Sequence, residues 1–239
     1  MQDDKVLGYA SGTDRFSHLQ NLMPQIDAVI KESKLSLGDL DAIAVSCGPG
    51  SFTGIRIGVS SARALSQILG IPCVAVSSLE ALAMRAVQSG LETEGVLICP
   101  MLDARRSQVY AGGYIIENGY PKAVIEAGPY MLDEFMAKTG EYNRILVLGD
   151  AIDKYSEKIA ESRGSEILEE ADADIKDGIF AAAEDSRYQD AVTVALIGAK
   201  NFAENGGVAY DKLEPDYMRI PEAERNLKEK ANKAVCAEA

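Results

Sequence analysis

Apolar and polar positions alternate along this chain in two rhythms. Val6 to Ala10 is a short apolar run after a polar turn and predicts a strand. Leu19, Leu22, Met23, Ile26, Val29 and Ile30 recur at helical spacing and predict a helix over about Ser17 to Ser33, which Pro24 kinks or starts. Leu40 to Cys47 reads as a second strand, followed by a glycine-rich turn and an apolar helix through Leu69. Gly70-Ile71-Pro72 ends that helix, and Pro72 to Val76 is the next strand. Ser77-Ser78-Leu79-Glu80 offers a capping box for a helix to about Ser89. From Gly95 the pattern changes: Val96 to Met101, Val109 to Ile116 and Arg144 to Leu148 read as strands, with a turn at Asn118-Gly119. A last helix runs from about Asp190 to Glu204. Strands alternating with helices argue an α/β fold, twice over, with a break near Gly95.

Composition narrows the class. A chain of 239 residues, 47% hydrophobic and 26% charged, can bury a substantial core. No apolar run reaches the length of a membrane helix, and the polar opening Met1-Gln2-Asp3-Asp4-Lys5 is not a signal peptide, so the chain reads as cytoplasmic. Cys47, Cys73, Cys99 and Cys236 lack the short spacing of a zinc site, and the first three sit in apolar, strand-like contexts. The net charge of -13 argues against dominant direct binding of nucleic acid, whose phosphates call for a basic face. Nine acidic residues between Glu166 and Asp190, against Lys176 and Arg187, predict a solvated, mobile region. The stretch after Pro221 predicts a frayed tail.

The stretch Val45 to Gly58, V-S-C-G-P-G-S-F-T-G-I-R-I-G, places strand, glycine turn and helix in succession. Free N–H groups at a helix start attract anions. The chemistry of a nucleotide cradle is missing, however. A P-loop needs Lys after its last glycine, and Ile55 and Arg56 stand there; a dinucleotide turn needs tighter spacing than Gly48, Gly50 and Gly54 give. The alternative is a shaped turn: Gly48, Pro49, Gly50 and Gly54 set the backbone, Ser51 or Thr53 caps the helix, and Phe52 anchors the turn in the core. In the helix beyond, Arg56, Ser60, Arg63 and Gln67 form one polar stripe on an otherwise apolar cylinder. That pattern predicts cover on two sides, either within a larger domain or at a partner interface. His18 is the only histidine, which removes an H-x-x-x-H metallopeptidase site; a triad with Ser51 lacks the G-x-S-x-G setting.

The motif Gly48-Pro49-Gly50-Ser51-Phe52-Thr53-Gly54 with Ile55-Arg56-Ile57-Gly58 resembles the signature of the TsaB (YeaZ) family of tRNA threonylcarbamoyladenosine biosynthesis proteins. Val76-Ser77-Ser78-Leu79-Glu80-Ala81-Leu82, Leu102-Asp103-Ala104-Arg105-Arg106 and Pro215-Asp216-Tyr217-Met218-Arg219 match in family order. The resemblance implies an actin-like, sugar-kinase-like (ASKHA) fold of two RNase H-like halves, residues 1–94 and 95–220, with 221–239 as tail. The family's opening strand, of the type I-L-A-I-D-T-S, does not precede Met1. A half without that strand is expected to be left with unpaired edges, and the chain to be poorly soluble or to exchange strands.

The resemblance further implies a subunit without catalytic residues, cofactor or metal. It would dock and activate the catalytic paralogue TsaD, help recruit the ATPase TsaE through a composite surface, and pair with itself when alone. The implied partner face comprises Leu19, Leu22, Met23, Ile26, Arg56, Val59, Ser60 and Arg63. Arg105 stands where ATP-using relatives of the fold carry the glycine of an Asp-x-Gly turn, as a degenerate nucleotide site would. The rival readings are a glycoprotease-like peptidase, a small-molecule kinase of the same superfamily, and a structural homodimer.

Overall fold

The computed structural model describes residues 1–2, 5–12, 18–169 and 177–218; of His18, Leu19 and Glu169 only the backbone is described. The chain opens with helix α1 (His18–Ser33), which runs through Pro24 without a break. Strand β1 (Ile43–Gly48), helix α2 (Phe52–Leu69), strand β2 (Cys73–Ser77) and helix α3 (Ser78–Gln88) follow. Their boundaries are set by local chemistry. Ser51 caps α2 by accepting from the Gly54 N–H, Gly70 ends it at φ 69°, and Ser77 caps α3 by accepting from Glu80.

Strands β1 and β2 pair in parallel as a two-stranded sheet. The second sheet has six strands. β3 (Leu97–Asp103), β4 (Gln108–Glu117) and β5 (Tyr120–Met131) form an antiparallel meander; Asn118 and Gly119 turn the second hairpin with φ 54° and 81°. α4 (Leu132–Lys138), β6 (Arg144–Leu148), α5 (Ala151–Arg163), β7 (Ile167–Glu169) and β8 (Gly178–Ala181) complete it in the order β5-β4-β3-β6-β8-β7. The last helix, α6 (Ala191–Asn205), is capped by Asp190.

Strand alternation divides the six-stranded sheet between two cores. Leu97, Cys99, Met101, Ile145 and Val147 face α4 and α5 through Phe135, Ile152 and Ile159. Ile98, Leu146, Leu148 and Phe180 face α3 through Leu79, Leu82 and Ala86. α6 returns to the first sheet, where a Cβ on Gly198 would come within 2.4 Å of the Ala44 Cβ. Close packing of a helix on a strand requires glycine there.

Two sequence expectations fail. Val6 to Ala10 forms no strand: its Gly8 lies against Val29 and Ser33 of α1 instead of a neighbouring strand. The acidic stretch is not solvated throughout, because β8 within it pairs with both β6 and β7 and buries Ile179 and Phe180. Charged flanks hid a short apolar strand there. The expected tail lies outside the described residues, as does Cys236.

Candidate functional site

A cleft of about 690 Å³ opens between the turn before α2 and the β3–β4 turn, lined among others by Gly50, Ser51, Asp103, Arg105, Asp150 and Tyr217. Its size suits a small ligand, so its chemistry has to be read residue by residue.

The motif loop forms the first wall. Gly48 and Gly50 have φ of 121° and 156°, which L-residues rarely adopt. Gly48 is also crowded: a Cβ there would sit 2.2 Å from the Asp216 carbonyl oxygen. The cause is a strap, Pro215 to Met218, laid across the loop. Asp216 N–H donates to the Cys47 carbonyl at 2.8 Å, and Met218 packs into the core under α3. Tyr217 stacks on Phe52 with ring centroids 4.9 Å apart, and Arg56 lies 3.9 Å above the other ring while its Nε donates to the Tyr217 hydroxyl. Phe52 was expected in the core; it is 41% exposed, because its ring belongs to this stack at the cleft mouth.

The second wall is acidic and already engaged. Asp103 accepts from Lys154 Nζ (2.9 Å), Tyr155 OH (3.0 Å) and the Arg105 N–H (2.8 Å). Partial burial pushes the Asp103 carboxyl up, but those three bonds together hold it below its ordinary value. Asp150 accepts from the Asp103 N–H at 2.8 Å. Its carboxyl is raised, first by burial and then by the charges of Asp103 and Asp153, against the bond from that N–H. Arg105, Arg106 and Ser107 all have positive φ, with Arg105 at 65°. Arg105 thus holds the backbone shape of a glycine while carrying a long side chain.

This arrangement offers little to a phosphate. The carboxylates of Asp103 and Asp150 repel it, and the backbone of Gly48 is covered by the strap. It offers little to acyl transfer either: Ser51 Oγ is the cap of α2, accepting from Gly54. Cys47 and Cys73 are buried beside the loop, and burial pushes the Cys47 thiol up to about 11, away from a reactive thiolate.

The residues expected to meet a partner are divided. On α1, Leu22 and Ile26 are half-buried and Met23 is 43% exposed. On α2, Arg56 and Ser60 are exposed and Arg63 half-buried. Val59 is 2% exposed, in a core with Cys47, Ile55, Ala62, Cys73 and Leu213, and presents nothing outward. Helical periodicity on a nearly all-apolar cylinder could not say which side faced the sheet. The strap's role was also missed, although its motif was visible; nothing local in Pro215-Asp216-Tyr217 says that it returns to Gly48.

The family profile described as TsaD, tRNA N6-adenosine threonylcarbamoyltransferase, matches residues 15–213. The tRNA threonylcarbamoyladenosine biosynthesis protein TsaB of Bacillus subtilis is 32% identical over 225 residues, covering 94% of this chain and 89% of that protein. The protein of the same name from Escherichia coli is 29% identical over 211 residues, covering 84% and 80%. The solved structure of YeaZ from Pseudomonas aeruginosa superposes with a TM-score of 0.67 at 24% identity, covering 84% of each chain, so the α/β actin-like fold expected from the motifs is the fold observed. No helix among the described residues is long and apolar enough to cross a membrane. With 32% identity spanning 94% of the chain and 89% of a TsaB protein, the chain belongs to the TsaB (YeaZ) family of tRNA threonylcarbamoyladenosine biosynthesis proteins.

Proposed function

We propose that this chain is a non-catalytic subunit of the cytoplasmic machinery that adds threonylcarbamoyl to tRNA adenosine, and that it works by docking and activating a TsaD-type catalytic paralogue. The observation that carries this reading is Arg105 at φ 65° in the β3–β4 turn, beside the hydrogen-bonded carboxylates of Asp103 and Asp150, where a nucleotide-using site would bring glycine backbone to phosphate. The Asp103 carboxylate is held by Lys154 and Tyr155 and the Ser51 hydroxyl caps α2, which draws both away from the roles of base and nucleophile.

Docking would use the exposed parts of α1 and α2, with Met23 and Ser60 at the contact and Leu22 and Ile26 behind them. Binding one conformation of the paralogue better than another shifts its population, and a coupling of about 1–3 kcal/mol is the usual scale. The joined pair would then present a composite surface to a TsaE-type ATPase. Alone, the same helices would pair two copies.

The test is light-scattering mass after size exclusion, for the chain alone and mixed with the same organism's TsaD-type protein. A heterodimer that Met23→Asp abolishes without lowering the melting temperature supports the reading, because a charge in an apolar contact is left unpaired. Absence of any complex, or ATP turnover by the pure chain, overturns it.

A further inference from the structure

The charges along the second wall of the cleft do not cancel where they stand. Three carboxylates gather there, and the charges of Asp103 and Asp153 both act on Asp150. Two of the three have a cation: Lys154 Nζ lies 2.9 Å from Asp103, and the Arg187 guanidinium 2.6 Å from Asp153. Asp150 has none among the described residues. It accepts only from backbone, the Asp103 N–H at 2.8 Å and its own. Neutral donors satisfy the oxygens of a carboxylate but leave its charge in place.

Arg105 is the opposite case. Its backbone N–H is taken by Asp103, yet its guanidinium makes no ion pair, hydrogen bond or ring contact among the described residues. The residue is held at φ 65°, a conformation that glycine adopts freely and arginine does not. A long side chain kept at a strained position, with no contact in the fold to hold it there, points to something the fold does not contain. Asp150 and Arg105 line the same cleft of about 690 Å³ and do not pair with each other. The lining also includes apolar Ile55 and Leu102 and the hydroxyls of Thr53 and Tyr110, which make no hydrogen bond with a described residue.

We propose that the cleft binds a small zwitterion of the free amino-acid class, with its ammonium on Asp150 and its carboxylate on Arg105. The wall calls for both charges. A simple anion would meet Arg105 but be repelled by Asp103 and Asp150, and a doubly charged phosphate more so. A simple cation would meet Asp150 and leave the guanidinium unanswered. A carboxylate offers two oxygens to the guanidinium fork, the geometry of bidentate pairing. The zwitterion adds no net charge to a molecule already at -13. The hydroxyls of Thr53 and Tyr110 favour a polar ligand side chain over an aliphatic one. Neither Asp150 nor Arg105 belongs to the docking face on α1 and α2, so this site does not depend on that contact.

The test is an amide NMR titration of the whole chain at pH 7 with three probes. L-threonine is a zwitterion with a hydroxyl, N-acetyl-L-threonine lacks the ammonium, and L-threonine methyl ester lacks the carboxylate. Two variants, Asp150→Asn and Arg105→Gly, each remove one charge from the wall. Both changes relieve the fold, one of a crowded charge and the other of a strained φ. L-threonine is expected to shift amides around residues 103–105 and 150. Each analogue, and each variant, should weaken binding about ten- to hundredfold, the scale of one hydrogen bond between charged groups. No shift with L-threonine at about 20 mM, above the millimolar range of weak sites, overturns the proposal. So does an analogue that binds as well as free threonine, because one charge then suffices. Binding that either variant leaves unchanged overturns it too, because the ligand then sits elsewhere. The analogues are read on the unaltered chain, so misfolding of a variant leaves the test standing. None of these results bears on the docking reading, which the mass of the complex decides.

Discussion

Arg56 and Tyr217, 161 positions apart, meet through a hydrogen bond of 2.9 Å from the Arg56 Nε, with the Phe52 ring 3.9 Å below the guanidinium. The pair ties the first turn of α2 to the strap. A double-mutant cycle of Arg56→Met and Tyr217→Phe, read by urea melts, is expected to give a coupling of about 0.5–1 kcal/mol, the scale of exposed cation–π and hydrogen-bonded contacts. Additive effects would mean that the two side chains do not act together.

Gly48→Ala should be far more costly than a surface change. The new Cβ would meet the Asp216 carbonyl at 2.2 Å, and the residue would be held at φ 121°. A loss of about 3 kcal/mol or more is expected from strain plus displacement of the strap. The check is a urea melt together with proteolysis of the region around Tyr217, which should become susceptible.

Arg105→Gly should have the opposite sign. A residue at φ 65° with a side chain pays about 1 kcal/mol that glycine does not. Loss of the long side chain leaves the bond from the residue 105 N–H to Asp103 in place, since it is a backbone bond. An increase of about 0.5–1 kcal/mol in unfolding free energy is expected, and an unchanged value would mean that the guanidinium offsets the strain.

Asp150→Asn tests the acidic wall by pH. Burial and the charges of Asp103 and Asp153 raise the Asp150 carboxyl above its ordinary value of 3.8. A group raised in the folded state favours folding fully below its unfolded value, and that contribution is lost as pH rises through the folded value. At neutral pH the ionised side chain is therefore a burden. Asparagine keeps an oxygen for the Asp103 N–H and removes the charge. Its melting temperature should exceed that of the parent at pH 7, with the difference vanishing below pH 3.8.

The sequence made some parts of this molecule legible because their causes are local. Ser51, Ser77 and Asp190 announce helix starts through their own side chains, Asn118-Gly119 announces a hairpin, and the glycines of the motif loop announce positive φ. Other parts depend on distant partners. β5 was not read as a strand because Pro121, Lys122 and Pro129 break its pattern, features an edge strand tolerates. α5 escaped notice because only Ile152, Tyr155 and Ile159 mark its buried side among many charges. Phe52 looked like a core anchor because nothing near it reveals Tyr217.

The strap also sets a clock. On a ribosome, Arg56 emerges long before Tyr217, and at about 5–20 residues per second the intervening 161 positions take roughly ten to thirty seconds to make. Through that interval the motif loop has no cover over Gly48, and α6 has not reached Ala44. The first sheet gains the cover of α6 and of the strap only after the second sheet has been made. Nascent molecules therefore pass through a long stage in which the earliest-made half is the least finished, and a chain stopped short of Asp216 is expected to need a chaperone.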